Sequence, residues 1–286
     1  MEYTVEERGE RYLEDISRYL RKSSVSRIRS IFRNHIVPSL GEKLVSSIGR
    51  KDIERMRDEA MERGLAPSSV QQLVVVLHGF FRHLVDRGVL DSNPAARIKT
   101  GRVNNARIRY LTKDEAELLL SALKEKSRVV YGMTLTSLFS GLRQGEDFNL
   151  TWADIDFKEE TIFVSDGKGG KSRTVPMHPR LVNFLPKLRD RLGGGLVFPT
   201  RDLTVRSRMS RVFLNTVNEL GFNTGVTDPR RRVVFHTLRH TYASWLVQAG
   251  VDLYVVRDLL GHSRIKMTER YSHLAPERLK GAVDML

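Results

Sequence analysis

The sequence predicts a mainly α-helical protein with a small β-sheet, divided into two domains. Apolar residues recur every three or four positions along most of the 286 residues, which is the pattern of amphipathic helices. One glycine-rich turn stands between two short alternating segments, the pattern of a β-hairpin. Asn93-Pro94 interrupts the helical pattern, and a basic, weakly apolar stretch follows. These observations predict a helical domain over 1–97, a basic linker over 98–108 and a second domain over 109–286.

The N-terminal domain is predicted to be a bundle of helices over 4–22, 24–36, 50–64 and 67–88. The last is the clearest, because it carries one stripe of apolar side chains at spacings of three and four: Val70, Leu73, Val74, Leu77, Phe80, Phe81 and Leu84. Ser68 or Ser69 is the predicted N-cap of this helix, and Gly88 is predicted to end it.

The second domain is predicted to begin with a capping box of Thr112 and Glu115 ahead of a helical run. A helix over 128–140 follows and ends at Gly141. The two strands of the hairpin flank a turn from Asp166 to Lys171. Further helices are predicted over 178–192, 204–220, 237–249, 252–260 and 264–272.

The composition narrows the class of function. The chain carries 48 Lys and Arg against 34 Asp and Glu, a formal net charge of +14. Such an excess favours a polyanionic partner, most commonly nucleic acid, although a soluble basic protein without such a partner stays open at this point. The absence of cysteine excludes disulfides, thiolate metal sites and cysteine nucleophiles. No signal-peptide pattern or membrane-length apolar run is present, so we expect a soluble, intracellular protein.

Two basic clusters suggest that the second domain grips a phosphate. Arg143 follows the glycine that ends a helix, and Glu146 can fix its guanidinium, whose planar donors suit the oxygens of a phosphodiester. His236 and Arg239 lie three apart at the start of a helix, where backbone N–H groups add to an anion site. Each cluster alone also fits a structural role. His236 and His240 lie four apart, but the zinc-protease pattern is absent and no metal site is predicted.

The hairpin turn presents Lys168 and Lys171. Its letters GGKS resemble a nucleotide-binding P-loop, but Ser165 stands where that motif needs its first glycine, and a strand follows instead of a helix. A lysine on this turn can instead act as a general acid that protonates a leaving oxygen. Taken alone, these lysines also fit a solvated turn.

The stretch LLGHSRIKMTERYSHL places His262 nine residues before Tyr271 on a polar segment. Tyr271 is a candidate nucleophile, because neighbouring positive charge lowers the energy of a phenolate. His262 can hydrogen-bond the same phosphate or help to move a proton. Gly261 is predicted to cap the preceding helix and to turn the chain, so that both side chains reach one site. With the two basic clusters, they predict attack of a tyrosine on a phosphodiester.

These motifs resemble the tyrosine recombinases, the phage integrase family. The resemblance rests on residues in the order of that family: Arg143 in SGLRQGE, Lys168 in DGKGGKSR, His236 and Arg239 in HTLRHTYAS, His262 in LLGHS and Tyr271 in TERYSH. The N-terminal half resembles the helical core-binding domain of the family. The chain departs from the family at Asp147, where many relatives carry an apolar residue. It also lacks a counterpart of the arm-binding domain, so we expect a simpler recombinase or part of a longer integrase.

The resemblance implies a site-specific recombinase that needs no metal, ATP or other cofactor. Tyr271 would attack one strand of duplex DNA, form a 3′-phosphotyrosine and release a 5′-hydroxyl. The two arginines and the two histidines would hold the phosphate and stabilise the transition state. Lys168 would protonate the leaving oxygen, and Glu146 would support the site.

The implied partners are double-stranded DNA and further copies of the chain, as a homotetramer on two duplexes and a monomer when free. Accessory DNA-bending proteins and action at a prokaryotic nucleoid in the cytoplasm are implied as well, with no membrane partner. Candidate DNA contacts outside the site are Ser68, Ser69, Gln71, Arg102, Arg107, Lys171 and Arg173. Two alternatives stay open: a type IB topoisomerase-like enzyme that relaxes DNA, and a non-catalytic DNA-binding regulator on the same fold.

Overall fold

The computed structural model describes residues 3–101, 107–165, 172–192 and 195–275. The chain divides into two units, Met1–Asn105 and Ala106–Leu286, and each has its own hydrophobic core. Within the described ranges, none of the helices has both the length and the apolar character needed to span a bilayer. Part of the predicted linker and the whole hairpin turn from Asp166 to Lys171 lie outside the described residues.

The N-terminal unit is helical. Its helices are α1 Val5–Ser17, α2 Lys22–Ile31, α3 Val37–Leu40, α4 Arg50–Glu62 and α5 Pro67–Asp86, with a 3₁₀ turn at Val45–Ser47. α1 begins at a capping box of Thr4 and Glu7. The apolar stripe predicted for α5 is buried, with Phe80 fully enclosed. The Phe80 ring meets the rings of Tyr12 and Phe32 edge-on, which joins three helical segments into one core.

The helix predicted over 24–36 is longer and irregular. α2 continues through a π-helical turn, Phe32–Ile36, into α3. Phe32, Ile36 and Leu40 are all buried, although each lies four positions after the one before. In a regular helix of 3.6 residues per turn this spacing drifts around the surface. The wider π turn takes up the extra residue and keeps the three side chains on the buried side.

The prediction that Ser68 or Ser69 caps α5 is wrong. Ala66 is the N-cap, and Pro67 occupies the first helical position, where its missing N–H costs no hydrogen bond. Both serines therefore lie inside the first turn. The predicted end of the helix is confirmed, because Gly88 follows α5 in the left-handed region with a φ of +66°.

In the C-terminal unit, helices pack around α7, and a small sheet completes the unit. The helices are α6 Lys113–Lys126, α7 Arg128–Ser140, α8 Gln144–Asn149, α9 Pro179–Leu192, α10 Arg211–Glu219, α11 Phe235–Gln248 and α12 Leu253–Leu260. Leu135 and Leu138 of α7 are fully buried, and so are Thr134 and Thr136, whose hydroxyls donate to carbonyl groups one turn earlier. α7 is thus the central helix of this unit, and α11 packs along it.

The sheet has three antiparallel strands in the order β1 Ile155–Asp156, β2 Thr161–Val164 and β3 Arg173–Pro176. β2 and β3 form the predicted hairpin, and Ile162 pairs with Val175 as two fully buried residues. The same register sets Arg173 opposite Val164 at the end of the described hairpin. β1 is an additional strand that the sequence did not predict.

The helix predicted over 204–220 is shorter. Residues 204–210 are not helical, because α10 begins only after Ser210, whose hydroxyl accepts an N–H of the first turn. Arg206 holds the preceding segment in place by donating to the carbonyl groups of Phe198 and Pro199. The spacing of apolar residues in the sequence does not reveal these hydrogen bonds of Arg206.

The segment predicted as a helix over 264–272 consists instead of two 3₁₀ turns, Ile265–Met267 and Glu269–Leu274. Thr268 lies between them and is fully buried. Short 3₁₀ turns are common connectors, because their eclipsed side chains do not favour longer runs. The second turn packs against α11 and brings Tyr271 into the interior of the unit.

Candidate active site

Arg143 lies where α7 gives way to α8. α7 ends at Gly141, which has a φ of +66°, and a Cβ at this position would collide with the ring of Tyr242. Glycine is therefore required by both conformation and space. α8, which the sequence did not predict, begins directly after Arg143. From there Arg143 Nη2 donates to the carbonyl oxygen of Gly261 at 3.2 Å.

Glu146 holds two guanidinium groups with one carboxylate. Oε1 accepts from Nη1 of Arg143 at 2.7 Å, and Oε2 accepts from Nη2 of Arg173 at 2.8 Å. Burial by itself would raise the pKa of Glu146, but the hydrogen bonds and charges of Arg173 and Arg143 outweigh it and lower the pKa to about 2. The carboxylate is therefore charged at neutral pH and fixes the Arg143 guanidinium.

The structure places Arg173 differently from the predicted DNA contact. Its side chain is 9% exposed. Nε donates to the carbonyl oxygen of Leu259 at 2.9 Å, while Nη1 and Nη2 both donate to Glu146. Because all three nitrogens have partners inside the protein, Arg173 supports the site from β3.

Arg239 is nearly fully buried on α11, with 3% exposure. Nη1 donates to the carbonyl oxygen of Gly141 and Nη2 to that of Leu260, each at 2.6 Å. These carbonyl groups lie at the ends of α7 and α12, where the helix dipole places partial negative charge. Burial, and next the charge of Arg143, lower the pKa of Arg239 to about 9, which leaves it protonated at neutral pH.

His262 lies just beyond Gly261, the left-handed C-cap of α12. Its Nδ1 is 2.9 Å from the buried hydroxyl of Thr268. Burial, followed by the positive charges of Arg239 and Arg143, lowers the pKa of His262 to about 3, so the ring is neutral. When the Thr268 hydroxyl donates to Nδ1, the ring proton resides on Nε2, which can then donate to an anion.

Tyr271 is buried, with 6% exposure, and its hydroxyl lies 2.5 Å from Nδ1 of His240. Burial raises the pKa of Tyr271, against the opposing charges of Arg270 and Arg239. The phenol is therefore protonated at neutral pH. His240 projects from α11 one turn after His236, and the two rings stand edge-on with centroids 4.8 Å apart.

These side chains meet in one cavity of about 320 Å³. It is lined by Arg143, His236, Arg239, His240, His262, Lys266, Met267, Arg270 and Tyr271. Loss of hydration, and next the charge of Arg239, lower the pKa of His236 to about 4. The His236 side chain itself remains exposed to solvent. The cavity thus combines several cations with neutral imidazoles around one phenol, an arrangement suited to an anion.

Comparison with known proteins identifies the family. The sequence profile of the Phage integrase family matches residues 109–278, and that of the Phage integrase, N-terminal SAM-like domain matches residues 4–61. The chain belongs to the phage integrase family. The recombinase is 31% identical over 251 residues to a tyrosine recombinase of Thermosipho africanus, which covers 85% of this chain and 87% of that protein. It is also 31% identical over 223 residues to tyrosine recombinase XerC of Pelobacter propionicus, covering 76% of this chain and 72% of the relative. The predicted activity, a tyrosine site-specific recombinase, is confirmed at this level.

Solved structures confirm the predicted fold class of the recombinase. A lambda integrase dimer bound to a COC′ core site superposes with a TM-score of 0.79 at 20% identity, covering 95% of this chain and 77% of that one. An integrase of transposon Tn1549 in complex with a circular intermediate DNA superposes with a TM-score of 0.78 at 18% identity, covering 99% of both chains. The mainly helical, two-part fold with a small sheet is therefore that of the integrases.

The structure brings together most of the predicted site residues of the recombinase. The cavity is lined by Arg143, His236, Arg239, His262 and Tyr271. Lys168 lies outside the described residues, as do the candidate DNA contacts Arg102 and Lys171. Among the described residues, no group of three or more His, Cys, Asp or Glu side chains is placed to hold a metal ion.

The remaining predicted DNA contacts differ in their surroundings. Arg107 is partly buried, and its Nη1 donates to the carbonyl oxygens of Pro229 and Arg232; its contact with DNA stays a prediction. Ser69 and Gln71 are exposed on the first turns of α5, and Ser68 is half-buried there. Contact of these three residues with DNA stays a prediction.

Sequence reasoning missed His240, Lys266 and Arg270 as members of the site. The two cations were visible as basic residues between His262 and Tyr271 on a polar segment. His240 was considered only as half of an absent zinc pair. The signal that could have found it is its spacing of four from His236, which places both rings on one face of α11.

Proposed function

We propose that this recombinase cleaves one strand of duplex DNA by attack of Tyr271, which forms a 3′-phosphotyrosine and releases a 5′-hydroxyl. The observation that carries the proposal is the placement of the buried Tyr271 hydroxyl in the same cavity as Arg143, Arg239, His236 and His262. A 5′-hydroxyl from a second duplex then attacks the phosphotyrosine and joins the new strands. The covalent link conserves the energy of the phosphodiester, so the reaction uses neither ATP nor a metal ion.

The two arginines stabilise the charge that develops on the phosphate. Guanidinium donors suit phosphate oxygens, and their partners Glu146, Gly141 and Leu260 hold them in place before any substrate arrives. The neutral rings of His236 and His262 donate further hydrogen bonds to the same oxygens. Because these donors are positioned in advance, little reorganisation accompanies the reaction.

Lys168 acts as the general acid that protonates the leaving 5′ oxygen. Support for this role comes from the strands that flank its turn. β3 begins at Arg173, which is bonded to Glu146 and to the end of α12, so the base of the hairpin is attached to the site. Lys168 stands in the sequence between the two strands that meet at this base.

The helical domain predicted over residues 1–97 binds the DNA core site, the basic linker 98–108 follows the phosphate backbone, and residues 109–286 carry the catalytic domain. Exposed arginines on α2 and on the π-helical turn that continues it, Arg27, Arg29 and Arg33, support the binding role. Lambda integrase has been solved as a dimer on a core site and as a tetramer on a Holliday junction. By analogy, four copies of this chain act on two duplexes, with accessory DNA-bending proteins, at the bacterial nucleoid.

The proposal is tested by trapping the covalent intermediate. A pool of nicked suicide duplexes with a randomised core sequence is incubated with the protein in EDTA and without ATP, and covalent adducts are isolated and sequenced. Cleavage next to the nick lets the short 5′-hydroxyl fragment diffuse away, so adducts accumulate. We expect peptide mapping to place the DNA on Tyr271.

Tyr271→Phe should bind the selected duplex and form no adduct, whereas Tyr254→Phe, at an exposed tyrosine of α12, should react like the wild type. Arg143→Ala should slow the reaction by about 10² to 10³-fold, the usual effect of removing one donor to a developing oxyanion. Tight binding with no adduct on any sequence would favour the non-catalytic regulator. An adduct on another tyrosine would contradict the proposed nucleophile.

A further inference from the structure

The contact between His240 and Tyr271 has a chemical meaning beyond packing. Both side chains are buried, with exposures of 5% and 6%, and Nδ1 of His240 lies 2.5 Å from the Tyr271 hydroxyl. The distance is short even for a hydrogen bond that involves a hydroxyl. The position of His240 is fixed, because this residue lies in the middle of α11, which packs along α7.

Both partners of this hydrogen bond are uncharged in the free protein. Burial, and next the neighbouring His236, lower the pKa of His240 to about 3, so its ring is neutral in the free protein. Burial raises the pKa of Tyr271, so its phenol keeps its proton. A buried hydroxyl needs an acceptor, and among the described side chains His240 is the hydrogen-bond partner of Tyr271. We therefore assign the phenol as the donor and Nδ1 as the acceptor, which places the ring proton of His240 on Nε2.

We propose that His240 is a further catalytic residue, which accepts the proton of the Tyr271 hydroxyl through Nδ1 as that oxygen attacks phosphorus. This inference rests on the proposed function. The Tyr271 oxygen forms its bond to phosphorus, its proton moves to Nδ1, and His240 becomes an imidazolium. The bond from phosphorus to the 5′ oxygen breaks, the electron pair stays on that oxygen, and Lys168 protonates it. In rejoining, the incoming 5′-hydroxyl returns its proton to Lys168, and Tyr271 leaves with the proton from His240.

His236 is the obvious competitor, and the geometry favours His240. The His236 ring stands edge-on to that of His240 with centroids 4.8 Å apart, and it is exposed to solvent. Among the described residues, the side-chain hydrogen bond of the Tyr271 hydroxyl goes to His240. A general base must lie within hydrogen-bond reach of the proton that it takes, and His240 meets this condition before DNA binds.

The surrounding cations make this proton transfer depend on substrate. The positive charges of Arg107, Arg239 and Arg270 all disfavour an imidazolium at His240. In the free protein they therefore keep the proton on Tyr271. A phosphodiester anion in the cavity compensates these charges and lowers the cost of the imidazolium. The nucleophile is thus activated when the phosphate is in place, and a buried, protonated tyrosine is protected until then.

The test compares single-turnover cleavage of the selected suicide duplex by the wild type and by His240→Asn. Asparagine places an acceptor oxygen close to the position of Nδ1 but takes up no proton. We expect cleavage to slow by about 10² to 10⁴-fold, the usual contribution of a general base, while binding of the duplex is unchanged. The rate of the variant should rise with pH over a range where the wild-type rate is flat, because hydroxide must now remove the proton.

A second measurement separates proton transfer from positioning. Tyr271 is replaced by a fluorinated tyrosine, whose phenol is more acidic, in both backgrounds. If His240 is the base, fluorination should restore much of the lost rate in His240→Asn and change the wild type little. If His240 only positions the ring, the acceptor of asparagine should preserve the rate and fluorination should have the same small effect in both. His240→Gln serves for the same comparison where the asparagine variant does not fold.

The failure of this inference and that of the proposed function give different results. A wild-type protein that forms no adduct on Tyr271 overturns the proposed function and the inference with it. A wild type that forms the adduct, together with a His240→Asn variant that cleaves at the same rate and with the same pH profile, overturns the role of His240 alone.

Discussion

Replacement of Asp147 by asparagine should stabilise the protein at neutral pH and leave its stability at pH 4 nearly unchanged. Asp147 lies in α8 and is fully buried, and neither carboxylate oxygen has a hydrogen-bond partner among the described residues. Burial, and next the charge of Glu146, raise the pKa of Asp147 well above its ordinary 3.8, while Arg239 opposes the shift. The folded protein therefore holds a proton on Asp147 that the unfolded chain releases.

The magnitude follows from proton linkage. A folded state that binds more protons than the unfolded state loses stability as the pH rises, from the unfolded pKa up to the folded pKa. Each pH unit in this window costs about 1.4 kcal/mol, so the full cost at pH 7 reaches about 4 kcal/mol if the proton is still held there. Asparagine has nearly the same shape, leaves similar polar atoms unsatisfied and does not titrate. The asparagine variant therefore differs from the wild type only in avoiding this pH-dependent loss of stability.

Urea denaturation at pH 4, 5, 6 and 7 measures the effect. The tryptophans of the chain, Trp152 and Trp245, both lie in the C-terminal unit, so their fluorescence follows the unfolding of the unit that contains Asp147. We expect the two proteins to agree near pH 4 and the variant to gain up to about 4 kcal/mol by pH 7. A variant that is less stable at pH 7 would refute the reasoning, because it would mean that Asp147 is ionised and stabilised by Arg239.

Two further substitutions test the supports of the site. Thr268→Val removes the hydroxyl that orients His262 and should slow cleavage by about tenfold, which corresponds to the loss of one hydrogen bond. Thr268→Ser keeps the hydroxyl and should preserve the rate. Equal rates for both variants would show that the hydroxyl is dispensable. Gly261→Ala places a Cβ 2.9 Å from Nη1 of Arg173 at a φ of +62° and should reduce both stability and cleavage. Gly225→Ala, at a φ of +70° with open space around the Cβ, imposes only the backbone cost of about 1 kcal/mol and should cleave normally in the same single-turnover assay.

The sequence predicted the general fold because periodicity and turn residues are local signals. The stripe of α5 and the strands of the hairpin were found in this way. The π turn at Phe32–Ile36 was not found from the sequence. It differs from a regular helix by one extra residue in the turn, and this difference becomes visible only in which side chains are buried. The short helix α8 escaped for a similar reason, since six residues after a glycine carry too little periodicity to distinguish a helix from a loop.

The site was predictable as a set of residues and not as a set of contacts. Order and spacing along the chain identified the arginines, the histidines and the tyrosine that now line one cavity. The partner of Tyr271 is His240, 31 positions earlier, and the partner of Arg173 is Glu146, 27 positions earlier. Nothing in the local sequence specifies such pairs, because the packing of α11 and β3 against other elements decides them. The link from Arg173 to Glu146 was therefore not predicted.

Arg239 has both a proposed catalytic role and a structural one, and this affects how related sequences should be interpreted. Its side chain satisfies the final carbonyl groups of two helices, those at Gly141 and Leu260, which would otherwise be buried without donors. A descendant of this protein that had lost strand cleavage, for example by losing Tyr271, would still need the arginine in order to fold. Retention of Arg239 in a divergent homologue is thus evidence of the architecture, whereas retention of Tyr271 and His240 together is evidence of the chemistry.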